Sequence, residues 1–312
     1  MNTEMPVQAF GFPSGIGGGG SCTSDAPRVL VANGLLEELR AHGRRVAYED
    51  LSLAFSSLVR PVARMQRGVK ARCGVNHLLR IRDTLRYAYV SASRVHTNDE
   101  VPLFIGGDHT LAAATLLASL RKYGDDLRVL YFDQHGDAHD HTSTPSGNAH
   151  GMPLALAMGY GEKRLLHGGN LTTGEINLAS AQILHIGADP DSVEQAERDF
   201  FDSHNVNVVT IHEMRARGME SVAAEIKKFA AGHPLHVSFD IDVTDAPGTG
   251  YPAVCGMTLT EALFLVNATR RAGRVIAVDM VEYCVAKDEP DVDGASWVTM
   301  NYIKKILSTL IA

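Results

Sequence analysis

Leu127-Arg128-Val129-Leu130-Tyr131-Phe132-Asp133-Gln134-His135-Gly136-Asp137 is an apolar run that ends in a tight group of acids and a histidine. Short, nearly continuous apolar runs read as strands buried on both faces, the form strands take in a parallel sheet. Two other runs end the same way. Val101 to Ile105 leads into Gly106-Gly107-Asp108-His109, and Leu235 to Phe239 leads into Asp240-Ile241-Asp242. Side chains two apart on a strand point to one side, so Asp133, His135 and Asp137 are expected to converge, as are Asp240 and Asp242.

Working outward, strand-like runs alternate with amphipathic stretches along the chain. The other candidate strands are Val7 to Phe12, Arg45 to Tyr48, Ile183 to Ile186, Val206 to Ile211 and Val275 to Met280. Helical patterns fall at Arg28 to His42, Leu111 to Tyr123, Val222 to Ala231, Leu259 to Arg271 and Val298 to Leu310. This alternation predicts an α/β fold, a three-layer αβα arrangement around a mainly parallel eight-stranded sheet. No internal repeat, low-complexity segment or linker divides residues 1–312, so a single domain is expected. Ligands of open α/β sheets bind beyond the carboxyl ends of the strands, where all three acidic tips lie.

Composition is that of an ordinary globular protein, with 45% hydrophobic and 21% charged residues among 312. A net charge of -7 gives no support to nucleic-acid binding. The basic stretch Arg60 to Arg82, interleaved with Val62, Met65, Val69 and Leu78, reads as the solvated face of a helix or loop. Cys22, Cys73, Cys255 and Cys284 are scattered and form neither a disulfide framework nor a paired metal motif. No apolar run reaches membrane-spanning length, and Met1 to Pro6 lacks a signal-peptide pattern. A soluble cytoplasmic protein with no membrane or nucleic-acid partner is therefore expected.

An isolated Asp or His at a strand end is commonly a cap or turn residue. Four buried aspartates together are different, because their mutual repulsion calls for cations. His109, Asp133, His135, Asp137, Asp240 and Asp242 are the candidate metal ligands. Carboxylates outnumber imidazoles and no thiolate is placed with them, which favours a hard ion such as Mn²⁺ over Zn²⁺. A two-metal hydrolytic site is the leading expectation.

Gly-Gly-Asp-His-Thr at 106–110, Asp-x-His-x-Asp at 133–137 and Ser-Phe-Asp-x-Asp at 238–242 resemble, in this order and separation, the three signatures of the ureohydrolases, the arginase and agmatinase family. The resemblance covers most of the chain. Ser146-Gly147-Asn148-Ala149-His150-Gly151-Met152-Pro153 looks like the loop characteristic of arginases, as does the early segment from Gly15 to Leu51. The resemblance implies two Mn²⁺ ions per subunit. One would be held by His109, Asp133, Asp137 and Asp240, the other by His135, Asp133, Asp240 and Asp242, so that Asp133 and Asp240 bridge. It further implies hydrolysis of L-arginine to L-ornithine and urea by a metal-bridging hydroxide that attacks the guanidinium carbon. Asp137 would pass the proton to the leaving nitrogen, His150 would shuttle protons, and Glu282 would accept hydrogen bonds from the guanidinium. Thr144, just before the arginase-like loop, and Ser146 and Asn148 within it would bind the substrate, at its amino-acid end. A homotrimer, or a hexamer of two trimers, is implied as well.

Four features depart from the family pattern. Gln134 stands where alanine is usual, and His139 where arginases generally carry a carboxylate-binding asparagine. Tyr251 replaces a small threonine beside the guanidinium pocket, in a run from Val243 that is shorter than the family's loop. Gly187-Ala188-Asp189-Pro190-Asp191 lacks the arginine often found after the glycine, which leaves Asp189 or Asp191 to meet the α-amino group.

Three alternatives follow. A sister ureohydrolase would act on agmatine, guanidinobutyrate or guanidine; the arginase-type loop argues against this, and His139 and Tyr251 argue for it. A nucleotide-dependent oxidoreductase would use Gly15 to Gly20 as G-x-G-x-x-G, but Pro27 and a polar stretch separate those glycines from the following helix. An inactive metal-binding relative is opposed by the intact set of six ligands.

Overall fold

The structure, a computed structural model, describes residues 5–18, 22–52, 74–166, 176–288 and 297–312. Eight strands form one sheet: β1 (Val7–Gly11), β2 (Val46–Asp50), β3 (Val101–Ile105), β4 (Arg128–Phe132), β5 (Ile183–Ala188), β6 (Asn207–Thr210), β7 (Pro234–Asp240) and β8 (Arg274–Val281). Their order across the sheet is β2-β1-β3-β8-β7-β4-β5-β6, and every adjacent pair is parallel. The expectation of a mainly parallel sheet is met by a wholly parallel one.

Strand residues alternate between two cores. On β4, Val129 and Tyr131 join one cluster with Phe10, Phe104 and Ile81, while Leu130 and Phe132 join the other with Leu103, Val237 and Ile303. This period of two lets an apolar strand serve both faces. The first face is covered by helices that include α3 (Leu78–Thr97) and α4 (Ala112–Tyr123). The second is covered by helices that include α1 (Ala26–Ala32), α2 (Leu35–Ala41), α8 (Met219–Ala230), α9 (Leu259–Ala272) and α10 (Val298–Ile311). Between the chain positions of α4 and α8 lie α5 (Pro153–Ala157), α6 (Gln195–His204) and α7 (Ile211–Arg217).

Two helical boundaries differ from the sequence reading. The stretch Arg28 to His42 is two helices, because Gly34 between them adopts a left-handed φ of 86°. Helix α3 continues far beyond Arg82. Its buried residues Ile81, Leu85, Ala88, Ala92 and Val95 recur at helical spacing, although arginines on its other face mask the pattern. Of the basic stretch Arg60 to Arg82, residues 60–73 lie outside the described residues, as do Gly19, Gly20 and Cys73.

The glycines after β3 explain how that strand presents its tip. Gly106 and Gly107 have φ of 78° and 83°, a region that L side chains rarely adopt. A Cβ on Gly106 would lie 2.7 Å from Pro27 Cδ, and one on Gly107 2.7 Å from the Phe12 carbonyl oxygen. Gly107→Ala is therefore expected to lower stability by about 2–4 kcal/mol. Chemical denaturation reads this directly, and a loss below about 0.5 kcal/mol, the range of an ordinary surface change, would contradict it.

Candidate metal centre and cavity

The order of the strands decides what meets. β3, β8, β7 and β4 lie side by side at the middle of the sheet, so their carboxyl ends form one rim. That rim carries His109, Glu282, Asp240 and Asp133, residues far apart in the chain. The convergence of Asp133, His135 and Asp137 does not come from continued strand alternation. β4 stops at Phe132, and Asp137 turns back with a left-handed φ of 52°. Likewise Asp240 ends β7, while Asp242 sits in the single helical turn Ile241–Val243. Glu282, just past β8, is also left-handed, at φ 63°. Non-glycine residues in this region cost free energy and gather at functional sites.

His109 Nδ1 lies 2.9 Å from Asp133 Oδ2, 3.0 Å from Asp137 Oδ2 and 3.3 Å from Asp240 Oδ2. His135 Nδ1 lies 3.1 Å from Asp242 Oδ2 and 3.5 Å from Asp133 Oδ1. Asp133 thus turns one oxygen to each imidazole. Among the described residues, ligand atoms close enough to share an ion form two groups, His109-Asp133-Asp137 and Asp133-His135-Asp242, with Asp133 common to both; Asp240, expected to bridge as well, is in neither. All but half-buried His135 are buried, and Asp242 Oδ1 has no hydrogen-bond partner.

Electrostatics points the same way. Burial, reinforced by the charges of Asp137 and Asp242, pushes the Asp133 carboxyl up to about 7. Asp240 is raised well above the usual carboxylate range by burial and by Asp242 and Asp133. Burial would also raise Asp137, but His109 and the Tyr131 hydroxyl, 2.7 Å away, outweigh it and hold Asp137 at about 2. Burial favours neutral imidazoles, yet the surrounding aspartates raise His109 and His135 well above their ordinary value. Without cations the cluster balances its charge by retaining protons. Four carboxylates, two imidazoles, no thiolate and an unpartnered buried oxygen fit hard divalent cations.

A pH dependence follows. Ligands that hold protons at pH 7 must release them when metal binds, so affinity should rise as pH rises. Titration of metal-free protein with Mn²⁺ in buffers of different ionisation enthalpy is expected to show net proton release near neutrality. Proton uptake, or affinity that falls from pH 6 to pH 8, would contradict the assignment.

A cavity of about 550 Å³ opens over this cluster. His109, His135, Asp137, Asp240 and Asp242 contribute to its lining, together with Glu282 and His150. Glu282 Oε1 accepts from the His109 backbone N–H at 2.9 Å and lies 3.2 Å from His150 Nδ1. Burial lowers the His150 pKa, but the Glu282 hydrogen bond and charge, with Asp108 and Asp137, prevail and raise it to about 9. His139, Thr144, Ser146 and Asn148 line the same cavity. Asn148 is held by Asn76, whose Nδ2 donates to its Oδ1 at 2.9 Å, and itself donates to the Gly18 carbonyl at 3.3 Å. His139 Nδ1 is 3.2 Å from Ser143 Oγ, and its Nε2 is 3.4 Å from Glu194 Oε2.

Asp191 is exposed and is not among the lining residues; its backbone N–H donates to buried Asp189 at 3.0 Å. Glu194 and Glu197 line the cavity instead, and sequence reading missed them. The available signal was the acid pair three apart at the start of α6, which forms a capping box there. Tyr131 was missed too, although it precedes Asp133 by two on the strand. Gln134 and Tyr251 prove to be linked: the Gln134 amide donates to the Tyr251 carbonyl and accepts from Ser192 Oγ at 3.4 Å. The Tyr251 ring lies edge-on to His135, with centroids 5.8 Å apart, and 6.2 Å from His150.

Known proteins resemble this chain over nearly its whole length. The sequence profile described as the Arginase family matches residues 9–308. The arginase of Bacillus caldovelox is 27% identical over 292 residues, which cover 91% of this chain and 92% of that protein. A solved structure of arginase from Bacillus caldovelox superposes with a TM-score of 0.86 at 24% identity, over 99% of this chain and 98% of that one. A crystal structure described as a hypothetical agmatinase from Burkholderia thailandensis superposes less closely, with a TM-score of 0.68 at 20% identity, over 98% of this chain and 85% of that one.

Proposed function

The chain belongs to the arginase family, and from that premise we propose that it is a binuclear manganese enzyme that hydrolyses L-arginine to L-ornithine and urea. Membership makes it a ureohydrolase, which cleaves C–N bonds of linear amidines. The observation that carries the fuller reading is the position of Asp133, shared by two groups of ligand atoms at the floor of one cavity.

When bound, two divalent cations neutralise the aspartates and acidify a water molecule, which supplies a nucleophile near neutral pH. Glu282 spends Oε1 on His109 and His150 and has Oε2 left to accept from a guanidinium N–H, a charge-assisted bond. That contact turns the guanidinium carbon toward the floor. Asp137 takes the proton of the attacking water and hands it to the leaving amine nitrogen. His150, protonated up to about pH 9, exchanges protons between cavity and solvent. At the outer end, Thr144, Ser146, Asn148 and His139 offer donors to a carboxylate. Glu194, which lines the cavity where Asp191 does not, offers an acceptor to the α-ammonium. The same reading takes residues 1–312 as one catalytic domain and the active form as a homotrimer or a hexamer of two trimers. Among the described residues no helix is long and apolar enough to cross a membrane.

One observation favours a second reading. The Gln134 to Tyr251 hydrogen bond anchors the backbone of a cavity-lining residue whose aromatic ring stands close to His135 and His150. A sister ureohydrolase acting on agmatine, guanidinobutyrate or guanidine would suit a site with a ring there in place of a small side chain. Urea release by the manganese-loaded protein from arginine and from these three compounds separates the readings. Arginine as the best substrate by kcat/KM supports the first. Preference for any of the other three transfers the assignment to the second.

A further inference from the structure

Below the metal centre, on the face covered by α3 and α4, six polar side chains stand in an otherwise apolar core. They are His96 on α3, Thr115 and Ser119 on α4, His236 and Ser238 on β7, and Asp279 on β8, and all six are buried. Isolated polar groups at such depth cost free energy unless each finds a partner. Here they form a continuous line that ends on a metal-ligand histidine. His96 Nε2 is 3.0 Å from Ser119 Oγ, and Ser119 Oγ is 2.9 Å from His236 Nδ1. His236 Nε2 is 3.0 Å from Asp279 Oδ2. The same oxygen accepts from Thr115 Oγ1 at 2.7 Å and from Ser238 Oγ at a longer 3.4 Å. Ser238 Oγ in turn lies 2.9 Å from His109 Nε2.

On the side toward the metal centre the donors are set. Thr115 and Ser238 donate to Asp279 Oδ2, and His236 Nε2 faces the same oxygen. Ser238, having spent its hydroxyl proton, can only accept from His109, so His109 carries its proton on Nε2. His109 Nδ1, the nitrogen facing Asp133, Asp137 and Asp240, is then the one left to a metal once its own proton has gone. On the far side, Ser119 stands between His236 Nδ1 and His96 Nε2, donating to one and accepting from the other. Burial, with the charges of His236 and Lys122, lowers His96 to about 3, in keeping with a neutral outer end.

We propose that Asp279, held by His236 and Thr115 and acting through Ser238, is a positioning residue that fixes His109 in its metal-binding tautomer and orientation. This rests on the reading of His109 as a metal ligand. Partners behind a ligating histidine typically change metal affinity by about 10–100-fold when removed.

The test is Mn²⁺ binding to metal-free protein, followed by the electron paramagnetic resonance of free Mn²⁺, with circular dichroism to check folding. Asp279→Asn keeps the volume and lets an amide face Ser238 as a donor. It is expected to weaken the tighter Mn²⁺ equivalent about 10–100-fold, with KM for the guanidino substrate unchanged once metal is saturating. Thr115→Val, which removes one anchor and keeps the shape, should weaken it in the same direction by a smaller factor, and it serves alone if Asp279→Asn does not fold. Ser119→Ala breaks the line on the far side of Asp279 and should lower thermal stability with Mn²⁺ affinity unchanged. Wild-type affinity in Asp279→Asn or, where that variant is unfolded, in Thr115→Val overturns the proposal and leaves the metal centre standing. Equal weakening in Ser119→Ala overturns it as well, since the effect would then be general loosening. Failure of the wild type to bind Mn²⁺ would instead remove the reading of the metal centre.

Discussion

Asp133→Ala is expected to lose both metal stoichiometry and turnover, with urea release falling by at least about 10³-fold. The size of the effect follows from geometry. Asp133 is the one residue common to both groups of ligand atoms, with Oδ2 toward His109 and Oδ1 toward His135. Its removal would deprive both proposed ions of a ligand and leave the imidazoles without the carboxylate between them. Asp240→Ala should behave similarly, because Asp240 lies 3.3 Å from His109 Nδ1, and burial together with Asp242 and Asp133 raises its pKa. The variants should still fold, since the replaced group is a source of repulsion in the metal-free protein. Metal analysis beside a urea assay checks both consequences, and retained activity in either variant would refute the proposed metal centre.

Glu282→Gln should show the opposite division, with metal content preserved and kcat/KM lowered by about 10–100-fold. A hydrogen bond to a charged partner contributes about 1.5–3 kcal/mol, and Oε2 is the oxygen left to make it. The amide keeps the size of the side chain and one acceptor, so the His109 N–H stays paired. A second consequence concerns His150. Its pKa stands at about 9 because Glu282 and nearby aspartates outweigh burial. With the Glu282 charge gone, the folded-state pKa falls toward its ordinary value, and protonated His150 is lost at lower pH. The basic limb of the pH–rate profile should therefore move toward acid. Loss of metal in this variant, or an unmoved basic limb, would show that Glu282 has another role.

Much of this architecture was visible in the chain. Apolar runs such as Val101 to Ile105 match their strands because residues buried on both faces leave little room for another pattern. The six candidate ligands were visible because acids clustered at strand tips have few structural uses. Strand order was not legible from periodicity, and only the order β3-β8-β7-β4 makes one rim of three separate motifs. Nor was the loop geometry: alternation suggested the convergence of Asp137, whereas a left-handed turn produces it. Helix α3 was obscured because its polar face is rich in arginine. Glu194 was hidden because an acid opening a helix already has a local explanation as a cap. His236 and Ser238 broke the apolar character of Leu235 to Phe239 in plain view. Their meaning needed the neighbouring strand that carries Asp279.

The departures Gln134 and Tyr251 have a shared physical basis, since one side chain holds the backbone of the other. Substrate preference is thus expected to depend on the pair more than on either residue alone.

Anomalous diffraction from crystals soaked in Mn²⁺ tests the central claim most directly. Two peaks about 3.5–4 Å apart, one beside His109 Nδ1 and one beside His135 Nδ1 with Asp133 between them, are the predicted result. A single peak, or none, at saturating Mn²⁺ would contradict it.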